Sequence, residues 1–187
     1  VTTGSACTPV TVNTPEGYQF VSWTLGDSVY STDTQLTVTG VSEDMTLIAN
    51  FSLKIYTLTY LADANGTLSG EAIQNISHGA DGTAVEAIPN AGYHFGQWSD
   101  GRADNPRIDT HVTENVTVTA FFAETYYPLM LSIPGEGIIK LDGNTVSLPW
   151  TDSLREGATV MLQAEPAGGW QFIGWSEGLI ETLNPQE

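Results

Sequence analysis

A seven-residue signature that occurs three times constrains the fold of this chain more than any other feature. It combines Gly, an aromatic residue, Phe and Trp, and it lies at Gly17–Trp23, Gly92–Trp98 and Gly169–Trp175. The closing tryptophans are separated by 75 and 77 residues. Self-similarity at a nearly fixed period indicates a tandem array of copied units. Residues copied in every unit are those that keep it folded, so the array predicts a spacer or a binding surface without naming a ligand.

The composition excludes two classes of partner. The chain of 187 residues carries 22 Asp and Glu against 5 Lys and Arg, for a net charge of −17. This charge repels nucleic acid and anionic membranes, and no stretch approaches the roughly 18 apolar residues of a membrane span. With 41% hydrophobic residues the chain is too apolar for a disordered tail. We therefore expect a folded acidic array without nucleic acid as a partner and without membrane insertion.

The first half of each repeat has the pattern of β-strands. Residues 56–62 and 127–133 match at an offset of 71 and place apolar side chains at alternate positions, which is the period of a strand. Asn65-Gly66 follows the first of these runs and predicts a hairpin with the next strand. Pro128 has no N–H, so we expect its strand to lie at a sheet edge or to begin at that residue.

The second half of the repeat also predicts strands. Residues 83–89 run through Pro and Gly into the signature, a pattern typical of strand, corner and strand. Residues 116–122 close the repeat and match residues 45–51, with alternate apolar positions facing one way. No window predicts an amphipathic helix. We therefore predict an all-β or mainly β chain of tandem small β modules.

The copies divide the chain into three parts. Residues 1–51 are the C-terminal part of repeat 1, residues 55–122 are a complete repeat 2, and residues 126–187 are a repeat 3 that lacks its last strand. The steps from Phe51 to Tyr56 and from Phe122 to Tyr127 are both 5 residues and contain no Gly- or Ser-rich filler, which predicts stiff joints and a rod. The incomplete repeats leave unpaired sheet edges, which makes edge-strand contacts between chains an expected mode of association. We expect export and anchoring signals to lie outside this sequence.

The tryptophan of the signature allows two interpretations. Trp98 is three residues from Phe95 and would point to the opposite face of a regular strand. A bulge or bend returns the indole to the core, or the tryptophans lie outside, where they bind a ligand or seal the joint between modules. The tryptophan recurs in all three copies, which favours the interpretation that it packs in the core of each module.

The ionisable residues give little support to catalysis. The three histidines, His78, His94 and His111, have no metal-ligand spacing and belong to no Ser-His-Asp or Cys-His arrangement. His94 lies between two aromatic residues and is expected to face solvent. The single cysteine, Cys7, excludes an internal disulfide and is interpreted as a small hydrophobic residue. We predict that the chain is not an enzyme and has no catalytic or cofactor-binding residue and no cofactor.

Three aspartates around Gly101 are the strongest candidates for a metal site. Asp100, Asp104 and Asp109 offer the hard oxygen ligands that calcium prefers, but the alternating Asp/Asn pattern and the closing Glu are missing. We therefore interpret them as solvated loop acids and predict no metal-ligating residue.

Together these residues resemble the divergent internalin B-repeat, part of the Listeria–Bacteroides repeat superfamily. The segments that carry the resemblance are Tyr56–Tyr60, Asn65–Thr67, Gly82–Val85 with Pro89, Gly92–Phe95, Trp98–Gly101 and Val116–Phe122. The match covers nearly all of repeat 2 and parts of repeats 1 and 3. The resemblance implies secreted or wall-attached bacterial proteins, in which such modules form stalks or adhesive regions. It also implies a β-grasp-like fold, with the helix short or absent here, and no enzymatic activity.

The resulting hypothesis is a non-catalytic repeat region of a bacterial cell-surface or secreted protein. It acts as a stalk, a spacer or an adhesive array, and it is extracellular, at the cell surface or cell wall. The alternative is a direct binding module that uses exposed aromatics and edge strands, with a host or matrix protein or a glycan as its partner. A hydrolase that depends on His94 or His111 is the third hypothesis.

Overall fold

The computed structural model describes residues 7–176, so the outermost residues of the predicted repeats 1 and 3 lie outside the described part. The chain divides into two compact units, Val1–Ile88 with Gln97–Phe121 and Pro89–Gly96 with Phe122–Glu187. Every element within residues 7–176 is a β-strand, which confirms the predicted mainly β class of small tandem modules. No helix in that range has the length and apolar character needed to span a membrane.

Repeat 1 lies in the first unit and forms two small antiparallel sheets. Strand β2 pairs on one side with β3 and on the other with β5, and β1 pairs with β4. The bounds are β1 Val10–Thr11, β2 Tyr18–Leu25, β3 Ser28–Ser31, β4 Gln35–Leu36 and β5 Leu47–Leu53. Among the residues of this repeat that the structure describes, Trp23 and Leu36 are the buried hydrophobic ones.

Repeat 2 is built around a parallel pair of strands. The bounds are β6 Ile55–Ala62, β7 Gly66–Ser69, β8 Ile73–Ser77, β9 Glu86–Pro89, β10 Tyr93–Trp98 and β11 Val116–Glu124. The main sheet has the order β10-β11-β6-β8, and β7 pairs with β9. Strand β6 runs parallel to β11, from Leu58 opposite Val116 to Ala62 opposite Ala120. The predicted alternation is confirmed, because Val118, Ala120 and Phe122 of β11 are buried.

The hairpin predicted after β6 does not form as a strand pair. Ala64 and Asn65 do make a turn, but β7 pairs with β9 while β6 pairs antiparallel with β8. Strand β8 takes one edge of β6 and β11 takes the other, so no edge of β6 is left for β7. The local Asn-Gly signal therefore identified a turn but not the strands that pair.

Repeat 3 lies in the second unit and repeats much of this pattern. The bounds are β12 Tyr126–Leu131, β13 Gly137–Leu141, β14 Asn144–Val146, β15 Trp150–Arg155 and β16 Leu162–Pro166. Strand β12 pairs with β15 as β6 pairs with β8, and β13 pairs with β16 as β7 pairs with β9. Within residues 7–176 β12 has no second strand partner, so the prediction that Pro128 lies on an edge strand is confirmed. Leu131, Ile139 and Leu162 form the core.

Candidate functional site

The first two signature tryptophans are buried in the same way. Only 9% of Trp23 and 0% of Trp98 is exposed. Their indole N–H groups donate to the backbone carbonyls of Asp33 at 3.0 Å and of Asp104 at 2.9 Å. In repeat 1 the pairing of β2 with β5 shifts register between Phe20 and Ser22. This irregularity confirms that a bulge returns the tryptophan to the core.

The third signature packs less completely. Trp175 is half-buried against the cluster of Leu131, Ile139 and Leu162, and its ring centroid lies 5.4 Å from that of Phe172. Trp170, at the aromatic position of this copy, is exposed. The tryptophans that close the signature are thus packing residues, whereas Trp170 is available to solvent.

The glycine that opens each signature is required by the backbone. Gly17, Gly92 and Gly169 have φ values of 76°, 81° and 87°, in the left-handed region that side chains disfavour. Gly17 also lacks space, because a Cβ atom there would lie 2.2 Å from the ring of His78. The glycine therefore brings the start of β2 against the end of β8.

The joint between repeats 1 and 2 is a single residue. Strand β5 ends at Leu53 and β6 begins at Ile55, so only Lys54 interrupts the extended chain. The backbone N–H of Lys54 donates to the carbonyl of Gly17 at 2.8 Å, and its carbonyl accepts from the N–H of His78 at 2.9 Å. Both polar groups of the joint residue are thus bonded to the two flanking repeats.

The joint between repeats 2 and 3 has the same construction. Thr125 alone separates β11 from β12. Its N–H donates to the carbonyl of Gly92 at 2.9 Å, and its carbonyl accepts from Glu156 N–H at 2.8 Å. Arg155 adds a cation–π contact at 5.1 Å from the ring of Tyr93. Each joint therefore continues the sheet ladder from one repeat to the next, in place of the loop that a five-residue step allows.

A buried ionic network lies in the core of repeat 2. Arg107 is only 2% exposed and makes two bonds to the carboxylate of Asp109, at 2.8 and 2.7 Å. Its third nitrogen contacts Asp100 at 2.8 Å, and its guanidinium lies 5.5 Å from the ring of Trp98. Tyr60 donates its hydroxyl to Asp109 at 2.7 Å. The network thus connects β6, the signature and the loop before β11.

A second arginine lies on the exposed side of this network. Arg102 contacts Asp109 at 2.8 Å and Asp104 at 2.6 Å. Every aspartate proposed as a calcium ligand is consequently paired with an arginine. Within residues 7–176 no group of three or more His, Cys, Asp or Glu is arranged to hold a metal ion. The interpretation as solvated loop acids is wrong for Asp109, which is buried, whereas Asp100 and Asp104 are exposed although each pairs with an arginine.

The network shifts the acid–base equilibria of its members. Burial by itself raises the pKa of Asp109, but the hydrogen bonds and charge of Arg107 outweigh it and hold the pKa below its usual value. The hydrogen bond from Arg102 lowers the pKa of Asp104. Burial raises the pKa of Tyr60, and the hydrogen bond to Asp109 raises it further. All three aspartates are therefore ionised and Tyr60 is neutral at pH 7.

Each of the three histidines and the cysteine makes contacts with neighbouring residues in the structure. His94 is exposed, as predicted, and its Nδ1 lies 3.2 Å from the hydroxyl of Thr125. His78 packs against Tyr56, and the backbone N–H of His111 donates to Asp81. Cys7 is half-buried, and its Sγ accepts from the N–H of Val38. These contacts give each residue a packing or backbone role.

The residues that sequence reasoning missed are the two arginines. The chain has only five Lys and Arg, and two of them fall within six positions of a loop rich in aspartate. Arginine is the residue best suited to bidentate pairing with carboxylates in the interior. Two arginines close together among aspartates, in a chain with few positive charges, were the sequence signal for an ionic network.

Comparison with known families agrees with the repeat pattern. The family model for the divergent InlB B-repeat domain matches three times, over residues 1–55, 56–125 and 142–186. No curated protein and no solved structure matches the chain.

Proposed function

Because the chain belongs to the divergent InlB B-repeat family, we propose that it is a non-catalytic spacer of a bacterial surface or secreted protein. The family is associated with bacterial surface proteins and is typically non-catalytic. In this role the array works outside the cell and holds other parts of its protein at a distance. The net charge of −17 keeps such an array soluble.

The observation that carries this proposal is the construction of the joints. A flexible linker is rich in Gly and Ser and leaves its backbone solvated. Here Lys54 and Thr125 each use both backbone groups in hydrogen bonds to the flanking repeats. Bending either joint would break these bonds, and each amide hydrogen bond contributes about 1 kcal/mol net. A spacer benefits from this resistance, whereas a simple tether does not need it.

Single-molecule energy transfer across the first joint tests the proposal. Cys7→Ser removes the native thiol, and dyes at Asp27→Cys and Glu71→Cys, both at exposed positions, report the distance between repeats 1 and 2. We expect one narrow distance distribution. Insertion of Gly-Gly-Ser after Lys54 should broaden it, while the same insertion after Gly143, in the turn between β13 and β14, should not. A native distribution as broad as that of the Lys54 insertion would refute a stiff spacer.

A binding function has one specific observation in its favour. Tyr126, Tyr127 and Trp170 are exposed aromatic residues of the second unit, and such residues suit contacts with glycans or proteins. If the chain is a spacer, the addition of glycans should leave the tryptophan emission unchanged. Iodide should quench mainly the emission that the Trp170→Phe substitution removes. Quenching or a spectral shift by a glycan that disappears in Trp170→Phe would favour the binding module instead.

A further inference from the structure

The chain enters and leaves repeat 2 through two strands that lie side by side. Strand β6 begins directly after the joint residue Lys54, and β11 ends directly before the joint residue Thr125. These first and last strands of the repeat pair with each other, and the pairing is parallel. The polypeptide that connects repeat 1 to repeat 3 therefore passes through this pair.

A parallel pair in this position responds to tension in a particular way. Because both strands run in the same direction, the start of β6 and the end of β11 lie at opposite ends of the pair. Tension between Lys54 and Thr125 thus draws the two strands past each other, along their length. This sliding loads the hydrogen bonds of the ladder together, whereas strands that are pulled apart from one end lose their bonds one at a time.

The ladder between the two strands is continuous. Residues 58–62 of β6 lie opposite residues 116–120 of β11. The N–H of Tyr60 donates on the β8 side of β6. Alternate residues of a strand direct their N–H groups to opposite sides, so the N–H groups of Thr59 and Leu61 face β11. These groups are the ones that sliding of the pair would load.

One further bond lies at each end of this ladder. At the end of β6 the N–H of Asp63 donates to the carbonyl of Ala120 at 3.1 Å. At its start the N–H of Thr57 donates at 2.8 Å to Oδ1 of Asn115, the residue before β11. The side chain of Asn115 thus continues the ladder toward the first joint.

Neighbouring strands and side chains shield the ladder from water. Strands β6 and β11 are the two inner strands of the order β10-β11-β6-β8. On the outer face Thr59 and Thr119 are half-buried. The side chains that cover the inner face are at most 3% exposed, and they are Leu58, Tyr60, Val118 and Ala120. Water takes the place of a broken backbone partner and so favours rupture, and this ladder is largely out of its reach.

We propose that repeat 2 bears tension, and that β6 and β11 form its shear clamp. The inference rests on the proposed spacer function, because a spacer is under tension whenever both of its ends are held. The clamp keeps repeat 2 folded under that tension, so the spacer keeps its length. Resistance of this kind depends on the rate of unfolding under force and not on equilibrium stability.

Force spectroscopy on the 187-residue chain in two pulling directions tests the clamp. Cys7→Ser removes the native thiol, and handles are attached to cysteines introduced at exposed positions. The pair Lys54→Cys/Ala123→Cys loads β6 and β11 in shear. The pair Lys54→Cys/Glu114→Cys pulls the adjacent starts of the two strands apart. Unfolding between the handles lengthens the tether by up to about 250 Å in the first pair and about 215 Å in the second.

The direction of pulling should decide the unfolding force. At the same loading rate we expect the force in shear to be at least about twice the force in the other direction, because the ladder bonds fail together in one and singly in the other. Thermal unfolding checks that the two cysteine pairs leave the chain equally stable. A difference in force then reports the direction of load and not the stability of the fold.

Two exposed asparagines that bond to Thr57 provide matched variants. Asn115 accepts from the backbone N–H of Thr57, within the clamp, whereas Asn75 of β8 accepts from its hydroxyl at 3.1 Å, outside the clamp. Asn115→Ala should lower the shear force by about a tenth or more, because one loaded bond is lost. Asn75→Ala should leave the shear force unchanged. Circular dichroism checks the fold of both variants.

Equal unfolding forces in the two directions would overturn the clamp. An equal loss of shear force in Asn75→Ala and Asn115→Ala would also overturn it. These outcomes are distinct from a failure of the spacer proposal, since energy transfer measures the first joint without load. A narrow distance distribution together with equal forces would leave a stiff spacer that has no clamp.

Discussion

Leu36 and Arg107 occupy the same backbone position in two repeats but have opposite chemistry. Leu36 pairs with Val10 in repeat 1, and Arg107 pairs with Val85 in repeat 2. Two residues later, Val38 accepts a backbone bond from Cys7 as Asp109 accepts one from Gly82. One repeat thus fills these positions with an apolar pair and the other with an ion pair. A buried ion pair can often be replaced by apolar residues, but removal of one partner leaves a costly charge.

Arg107→Leu alone should destabilise repeat 2 by about 3 kcal/mol, because Asp109 would keep a buried charge without its main partner. The triple variant Tyr60→Phe/Arg107→Leu/Asp109→Val should recover at least half of that loss. Asp104→Asn, in an exposed pair, is the control and should cost less than about 1 kcal/mol. Hydrogen exchange in β6 and β11 measures these free energies. A triple variant no more stable than Arg107→Leu would contradict the prediction.

The same network predicts loss of stability at both ends of the pH range. The pKa values of Asp100, Asp104 and Asp109 are lowered in the folded state, so the unfolded chain binds more protons as the pH falls below about 4. The pKa of Tyr60 is raised, so its contribution is complete below about pH 10 and decreases above it. We expect the unfolding free energy of repeat 2 to fall in both ranges.

The triple variant is the matched comparison for this pH dependence. It lacks the ionisable groups at positions 60 and 109, so its stability should change less from pH 5 to about pH 2 and from pH 9 to about pH 11. Urea titrations monitored by hydrogen exchange in β6 give the unfolding free energy as a function of pH for the native chain and for the triple variant. Parallel profiles for the native chain and the variant would show that other groups control the response.

At the scale of elements, the joints depend on one glycine and one backbone residue each. The backbone N–H of Lys54 or Thr125 donates to the carbonyl of the glycine that opens the signature, Gly17 or Gly92. The positive φ of these glycines sets the direction of that carbonyl. The hydrogen bonds of each joint therefore depend on the signature as much as on the connecting residue.

Gly17→Ala should disrupt the first joint, because its Cβ atom would lie 2.2 Å from the ring of His78. Gly26→Ala is the matched control, since Gly26 also has a positive φ, of 58°, but open space around the missing Cβ. The control should cost about 1 kcal/mol from backbone strain, and Gly17→Ala at least about twice that. The double variant Gly17→Ala/His78→Ala should regain part of the difference. Thermal unfolding measures all three, and equal losses for the two glycines would exclude the steric cause.

At the scale of the molecule, the three repeats differ in completeness. Repeat 2 contains a sheet of four strands, whereas the sheets of repeats 1 and 3 within residues 7–176 have two or three. In repeat arrays the stability of each unit is a sum of its own term and the terms from its neighbours. Repeat 2 has both a full sheet and two bonded joints.

Hydrogen exchange of the intact chain should therefore be slowest in repeat 2. The amides of β6 and β11 should exchange most slowly, since opening them requires repeat 2 to unfold. In β12 the amides of Met130 and Ser132 should exchange much faster than that of Leu131. Counterparts in β6 supply the control, because Thr59 and Leu61 face a partner strand. Equal protection of Met130 and Thr59 would show that a second neighbour covers β12 in this chain.

The features of the fold that depend on local chemistry could be predicted from the amino-acid sequence alone. The recurrence of Gly and Trp indicated the repeats, alternation indicated β11, and the missing N–H of Pro128 indicated an edge. The three-residue step from Phe to Trp allowed an irregular strand or an outward tryptophan, and the structure shows a shift of register between Phe20 and Ser22. These signals act within a few residues, through backbone angles and the two-residue period of a strand.

The strand partners and the buried charges could not be predicted in this way, because both depend on contacts between distant parts of the chain. The parallel pairing of β6 with β11 joins residues 58 positions apart, and the turn at Asn65 carries no information about that distant strand. Likewise, Arg107 and Asp109 are buried because Tyr60 and Trp98 pack around them, contacts that no spacing in the loop specifies. Strand partners and buried pairs depend on surfaces brought together by the whole fold, and local patterns do not encode that choice.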